Sequence, residues 1–101
     1  MTFAFLIPNS AVSEWDDTYY PFLIDTNDPT SAFLVDEIYS RAGLNLERAI
    51  ENYPRIERVY LNSPGGDVHA ALITARLIDR EKFQTIIPTD SGCYSACAFL
   101  F

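Results

Sequence analysis

Six residues in the second half of the chain, Asn62-Ser63-Pro64-Gly65-Gly66-Asp67, restrict the folds open to it. They follow the strand-like run Ile56–Leu61 and precede an apolar-periodic stretch, Val68–Asp79, that reads as a helix. A strand that stops at Pro-Gly-Gly and restarts as a helix brings bare backbone close to something else. Glycine has no Cβ, so its N–H can turn outward and a ligand can approach it. The helix start behind it adds unpaired donors and a partial positive potential. Such a turn suits a negatively charged oxygen. The residue best placed to need that pocket is Ser95.

The rest of the chain bounds what can surround this turn. Its 101 residues suffice for one small domain, and 49% apolar with 14% aromatic residues implies a packed core. A formal net charge of −7 argues against a nucleic-acid backbone or an anionic membrane as partner. Arg76, Arg80 and Lys82 are spread along a helix and its exit and do not form a basic patch. No stretch approaches the roughly 20 apolar residues of a membrane span. Met1–Pro8 lacks the basic n-region and the length of a secretory signal. A cytoplasmic location is therefore expected, unless a targeting segment is missing. The end, Ala98-Phe99-Leu100-Phe101, has no polar residue and no helix stop, so the natural chain is expected to continue. Cys93 and Cys97 are four apart and would share one helical face. They read as buried reduced thiols rather than a disulfide, and with His69 the only histidine no metal site is expected.

Taken in order, Thr2–Pro8 reads as a short strand and Asn9–Tyr20 as irregular, with Trp15 in its midst. Phe22-Leu23-Ile24 is a second strand, ended by Asp25-Thr26-Asn27-Asp28. Asp28-Pro29 resembles a helix start, with Leu34, Val35, Ile38 and Ala42 on one face and Gly43 at the end. Asn45 would cap a second segment carrying Leu46, Ala49, Ile50 and Tyr53 inward, with Pro54 beyond it. Glu37, Arg41, Glu47, Arg48 and Glu51 face outward. After a strand over Arg58–Leu61, the next helix carries Val68, Ala71, Leu72, Ala75 and Ile78, widened by Ile73 and Leu77. Phe83–Thr89 returns as a strand, Ser91-Gly92 turns, and Tyr94–Phe101 reads as a buried helix. This is an α/β chain of parallel βαβ units with the usual right-handed crossover, one domain over 1–101 with 1–21 as lead-in.

In such a unit ligands sit at the carboxyl ends of the parallel strands, where Gly65-Gly66 and Gly92–Ser95 both fall. Ser95 would open a helix with its hydroxyl facing the Gly66 amide and the Ala96 N–H aimed at the same spot. That arrangement suits acyl transfer: a serine oxygen attacks a carbonyl and two amides hold the oxyanion. Gly-x-Ser-x-Gly is absent around Ser95, which argues against an α/β-hydrolase elbow. Serine also needs a proton acceptor. His69 lies near the start of the helix after Gly66, a place where a lone histidine is more often a surface or capping residue. Asp67 supports the helix N-terminus, and Lys82 is at the wrong end of the helix for a Ser–Lys pair. The residues alone give an oxyanion pocket with a serine and an incomplete catalytic set. A tight turn and a helix-capping serine would produce the same pattern.

Leu61–Val68, followed by helix, strand and Gly92-Cys93-Tyr94-Ser95-Ala96-Cys97-Ala98-Phe99-Leu100, resembles the Clp protease proteolytic subunit family, ClpP-like serine peptidases of the crotonase-type fold. Ser95 lies 29 residues beyond Gly66, the family's interval. The likeness covers Arg58–Phe101 and extends loosely back to Phe22. It implies Ser95 as nucleophile, Gly66 and Ala96 as oxyanion-hole amides, and Gly65, Asp67 and Val68 along the edge where a peptide substrate lies as an added strand. It also implies a peptide or protein substrate, homo-oligomers, an ATP-dependent unfoldase as a further partner, and no cofactor. Ala96-Cys97 stands where the usual subunit has Met-Gly, which places the chain nearer divergent bacterial Clp-like proteins reading Ser-Ala-Cys. The family's histidine and aspartate follow its serine, whereas this chain ends six residues past Ser95; by itself it cannot carry that triad. A non-catalytic oligomerisation module of the same fold and a crotonase-type acyl-CoA enzyme are the alternatives.

Overall fold

Alternating burial along four-residue strands builds the sheet. The computed structural model describes residues 14–101, and the strand expected over Thr2–Pro8 lies outside the described residues. The strands are β1 (Trp15–Asp16), β2 (Phe22–Asp25), β3 (Ser31–Leu34), β4 (Arg58–Leu61) and β5 (Gln84–Ile86). They lie side by side in chain order, with β1–β2 and β2–β3 antiparallel and β3–β4 and β4–β5 parallel. Helix α1 (Ala42–Asn52) bridges β3 to β4, helix α2 (Val68–Glu81) bridges β4 to β5, and a 3-10 helix, Ser95–Phe99, closes the chain. The class is mixed α/β: an antiparallel front joined to a parallel βαβαβ half. Among the described residues no helix is long and apolar enough to cross a membrane.

The register stacks like on like. Phe22 pairs with Leu34 and Leu34 with Leu61; Ile24 pairs with Ala32 and Ala32 with Val59. All six are buried, and they form one core with Ala42, Leu46 and Ala49 of α1 and Ala70, Ala71, Leu77 and Ile78 of α2. Burying each large side chain of this set contributes about 1.5–3 kcal/mol. Leu23, Phe33 and Tyr60 alternate onto the other sheet face. There Phe33 stacks on Tyr60 at 4.7 Å, and Trp15 meets Phe33 edge-on at 5.1 Å.

Four expectations are corrected: Asn45 caps no second segment but lies inside α1, whose N-cap position is Arg41, and three others follow. Asp28-Pro29 opens no helix: the Thr30 hydroxyl donates to Asp28 Oδ1 at 2.6 Å, Asp28 N–H donates to the Asp25 carbonyl, and the chain turns between β2 and β3. Aspartate and proline suit a turn as well as a helix start, and the Leu34-Val35-Ile38-Ala42 spacing is helical by coincidence. Gly43 lies inside α1 rather than after its end. A Cβ there would come within 2.6 Å of Ile73 Cγ2, so its bareness lets the two helices close on each other. On α2 the buried stripe is Ala70, Ala71, Thr74, Leu77 and Ile78, while Val68, Leu72 and Ile73 are exposed. Small residues face inward because the neighbouring backbone is near. Asp67 caps α2 as expected, accepting from the Ala70 N–H at 3.1 Å.

The short edge strand β1 is tied down from a helix. The Tyr53 hydroxyl at the end of α1 donates to Asp16 Oδ2 at 2.6 Å. The Thr18 side chain, then the Tyr53 hydroxyl, hold the Asp16 carboxyl below its ordinary 3.8. The bond to Asp16 in turn pushes the Tyr53 phenol up to about 12. The carboxylate therefore stabilises the fold above its ordinary range and loses that effect as pH falls through its lowered value. The phenol stabilises it below pH 10 and loses that effect as pH rises toward 12. Tyr53→Phe is expected to cost about 1 kcal/mol at neutral pH and to flatten the alkaline loss, as read by urea titrations at neutral and alkaline pH. Gly43→Ala is expected to cost about 1–3 kcal/mol through overpacking against Ile73, measured in the same assay.

Candidate functional site

Two pairings carry the parallel ladder past the strand ends. Ile38 N–H donates to the Gly65 carbonyl at 2.8 Å and Asp67 N–H donates to the Ile38 carbonyl at 2.9 Å, so Gly66 lies opposite Ile38. Ser63 N–H donates to the Gly92 carbonyl at 2.8 Å and Tyr94 N–H donates to the Ser63 carbonyl at 3.0 Å, which sets Ser63 opposite Cys93. The loops after β3, β4 and β5 are thus held together at the carboxyl ends of the parallel strands, the end where open α/β sheets bind ligands.

Side-chain oxygens fix what the ladder leaves loose. Asn62 Oδ1 accepts from the Gly92 N–H at 3.1 Å, joining residues 30 apart. Ser63 is buried, and its Oγ accepts from the Gly65 N–H at 3.1 Å. Gly65 then runs at φ +110°, a conformation that favours glycine. A Cβ on it would lie 2.8 Å from Ser95 Cβ, 2.9 Å from the Tyr94 carbonyl and 3.2 Å from the Ala96 nitrogen. The glycine turn and the serine segment are in backbone contact. At Gly66, φ +149°, a Cβ would collide with the Ile38 carbonyl at 2.4 Å. The flanking groups, Gly65 C=O and Asp67 N–H, take up the pairing with Ile38, so the Gly66 amide faces the other way. Among the described residues it donates to nothing.

Ser95 is exposed and adopts φ +53°, an uncommon backbone for a residue with a side chain. Its hydroxyl makes no hydrogen bond among the described residues, and the residue at the capping position is Tyr94, without a side-chain cap bond. The hydroxyl is therefore not a helix cap. Ala96 is 2% exposed, yet its N–H has no acceptor among the described residues. Buried amides are rarely left so. His69 is exposed on the first turn of α2 and has no hydrogen bond to Ser95, while Val68 is half exposed beside it. Among the described residues no group of three or more His, Cys, Asp or Glu side chains is placed to hold a metal ion.

The cysteines differ from the expectation of reduced thiols. Cys93 and Cys97 are joined in a disulfide, with Cα atoms 5.1 Å apart. They do not share a helix face. Cys93 is extended and paired with Ser63, Cys97 sits on the 3-10 helix, and the left-handed turn at Ser95 folds the segment between them.

The roles of Asn62, Ser63 and Ile38 escaped the sequence reading. The first two left a signal, since short side chains with oxygens beside Pro-Gly-Gly commonly brace a turn. Ile38 left none, because its partner is set by the sheet.

No family model matches this chain, and no solved structure matches it. Uncharacterized protein MJ1467 of Methanocaldococcus jannaschii is 35% identical over 78 residues, which cover 73% of this chain and 42% of the relative. The chain thus spans less than half the length of the curated relative it matches.

Gly65→Ala is expected to cost about 1–3 kcal/mol of backbone strain and to displace the Ser95 and Ala96 amide resonances. Asn62→Ala is expected to cost about 1 kcal/mol and to shift chiefly Gly92. Amide spectra of the two variants, paired with denaturation, check both.

Proposed function

We propose that this chain carries the nucleophile and oxyanion pocket of a ClpP-like serine peptidase with a crotonase-type fold. The observation that supports it most is an exposed serine with left-handed backbone, in contact with Gly65, whose hydroxyl makes no hydrogen bond among the described residues, together with the amides of its neighbour Ala96 and of Gly66, next to Gly65, which have no acceptor among the described residues. Strained backbone of this kind gathers at functional sites. On this reading Ser95 Oγ attacks the carbonyl carbon of a peptide bond, and the charge that develops on its oxygen is met by the two amides. Each donor of this kind is worth about 10²–10³ in rate. The peptide or protein substrate lies as an added strand beside Gly65–Val68, of which Gly66, Asp67 and Val68 are exposed. The resemblance places the proton acceptor after the serine in chain order, and among the described residues none is hydrogen-bonded to the Ser95 hydroxyl. Exposed Phe99 and Phe101, which lie beside the carboxyl-terminal part of α2, support association into a homo-oligomer.

A fluorophosphonate probe applied to the natural protein tests the reading. Labelling is expected on Ser95 and is expected to vanish in Ser95→Ala; labelling that persists in that variant removes Ser95 as nucleophile.

A further inference from the structure

We propose that Cys93 and Cys97 form a thiol–disulfide site that sets the backbone of Ser95 and so switches its reactivity, an inference that rests on reading Ser95 as the nucleophile. Ser95 is the middle residue of the five-residue segment that the disulfide closes into a ring. That ring also contains Ala96, whose buried amide has no acceptor among the described residues. Ser95 is held at φ +53°, which a serine leaves readily when nothing enforces it. Among the described residues no hydrogen bond of its own side chain holds it there. What holds it is the Gly65 contact, the backbone bonds from Tyr94 N–H to the Ser63 carbonyl and from Cys97 N–H to the Tyr94 carbonyl, and the ring, of which the ring alone is sensitive to redox chemistry.

The ring also reaches the other half of the pocket. Cys93 lies opposite Ser63, whose Oγ accepts from the Gly65 N–H. Opening the disulfide frees the first turn of the 3-10 helix, so Ser95 relaxes toward negative φ and carries Oγ and the Ala96 N–H off target. The disulfide form is the competent one.

The two sulfurs are unequally accessible. Cys97 is fully buried and Cys93 is half-buried. A reducing thiolate RS⁻ therefore attacks the Cys93 sulfur, forms the mixed disulfide and releases the Cys97 thiolate, which takes up a proton. A second RS⁻ attacks the sulfur of the bound R group, giving RS–SR and the Cys93 thiolate, which is also protonated. The reverse direction consumes one low-molecular-weight disulfide and yields two thiols, so two electrons move each way.

The test compares the natural protein oxidised with glutathione disulfide and reduced with dithiothreitol, with alkylation and intact mass to count free thiols. Ser95-dependent fluorophosphonate labelling is expected to fall about 100-fold on reduction, the scale of a lost oxyanion donor, and to return on reoxidation. Cys93→Ala/Cys97→Ala is expected to label slowly under both conditions. Equal labelling of the two forms overturns the proposal, as does a double variant that labels at the oxidised rate. Labelling that is absent or independent of Ser95 in both forms defeats the peptidase reading instead. The disulfide site is then judged by amide hydrogen exchange at Ala96: roughly tenfold faster exchange on reduction supports local release, and unchanged exchange overturns it.

Discussion

Peptide-to-peptide pairing beyond the strand ends is the constraint on which this structure rests. Gly66 against Ile38 and Ser63 against Cys93 continue the parallel ladder through segments that are neither strand nor helix. Loops at that end of a sheet are ordinarily the most mobile part of a fold. Here each is stitched to its neighbour by two backbone hydrogen bonds, of which a typical one is worth about 0.5–1.5 kcal/mol. Helices α1 and α2 then need only span the crossovers and close the core behind the sheet. The Asn62 and Ser63 oxygens finish the work by holding Gly92 and Gly65.

Where the fold is written in local signals, it was legible. Asp67 before an apolar-periodic run announced α2, and Phe22–Ile24 and Arg58–Leu61 announced two strands of the core. The misreadings share a cause, which is that tertiary pairing decides between locally equal options. Ser31–Leu34 is a strand because Arg58–Leu61 lies beside it, although the Asp28-Pro29 before it fits a helix start equally well. On α2 the larger residues Leu72 and Ile73 were expected inside, and Ala70 and Thr74 took their place where α1 comes close at Gly43. At the site, Ser95 and the two glycines were visible as a pattern. The cysteine pairing was hidden, because a four-residue spacing implies a shared helix face only if the segment is a helix.

On the serine reading proposed above, binding of developing charge would need little side-chain chemistry. On that reading the donors are main-chain amides that no acceptor among the described residues takes up: Gly66 because its neighbours take up the pairing with Ile38, Ala96 because it lies in the first turn of the 3-10 helix. In a partly dry environment such fixed dipoles act without rearranging when charge develops. The serine reading put forward above asks the sequence for a hydroxyl in the right place and asks the backbone for everything else.

The Asn62 grip on Gly92 bears on how this architecture can diverge. A side-chain amide on one loop is satisfied by a peptide group 30 residues away, so the two loops form one mechanical unit across the α2–β5 crossover. The crossover itself lies outside that bond, and its exposed face is free to change in composition while its buried stripe is held by the core. Position 62 needs a side-chain acceptor, whereas position 92 contributes only its backbone N–H, so the link depends on the Asn62 side chain and tolerates any residue but proline at 92 as far as this bond is concerned.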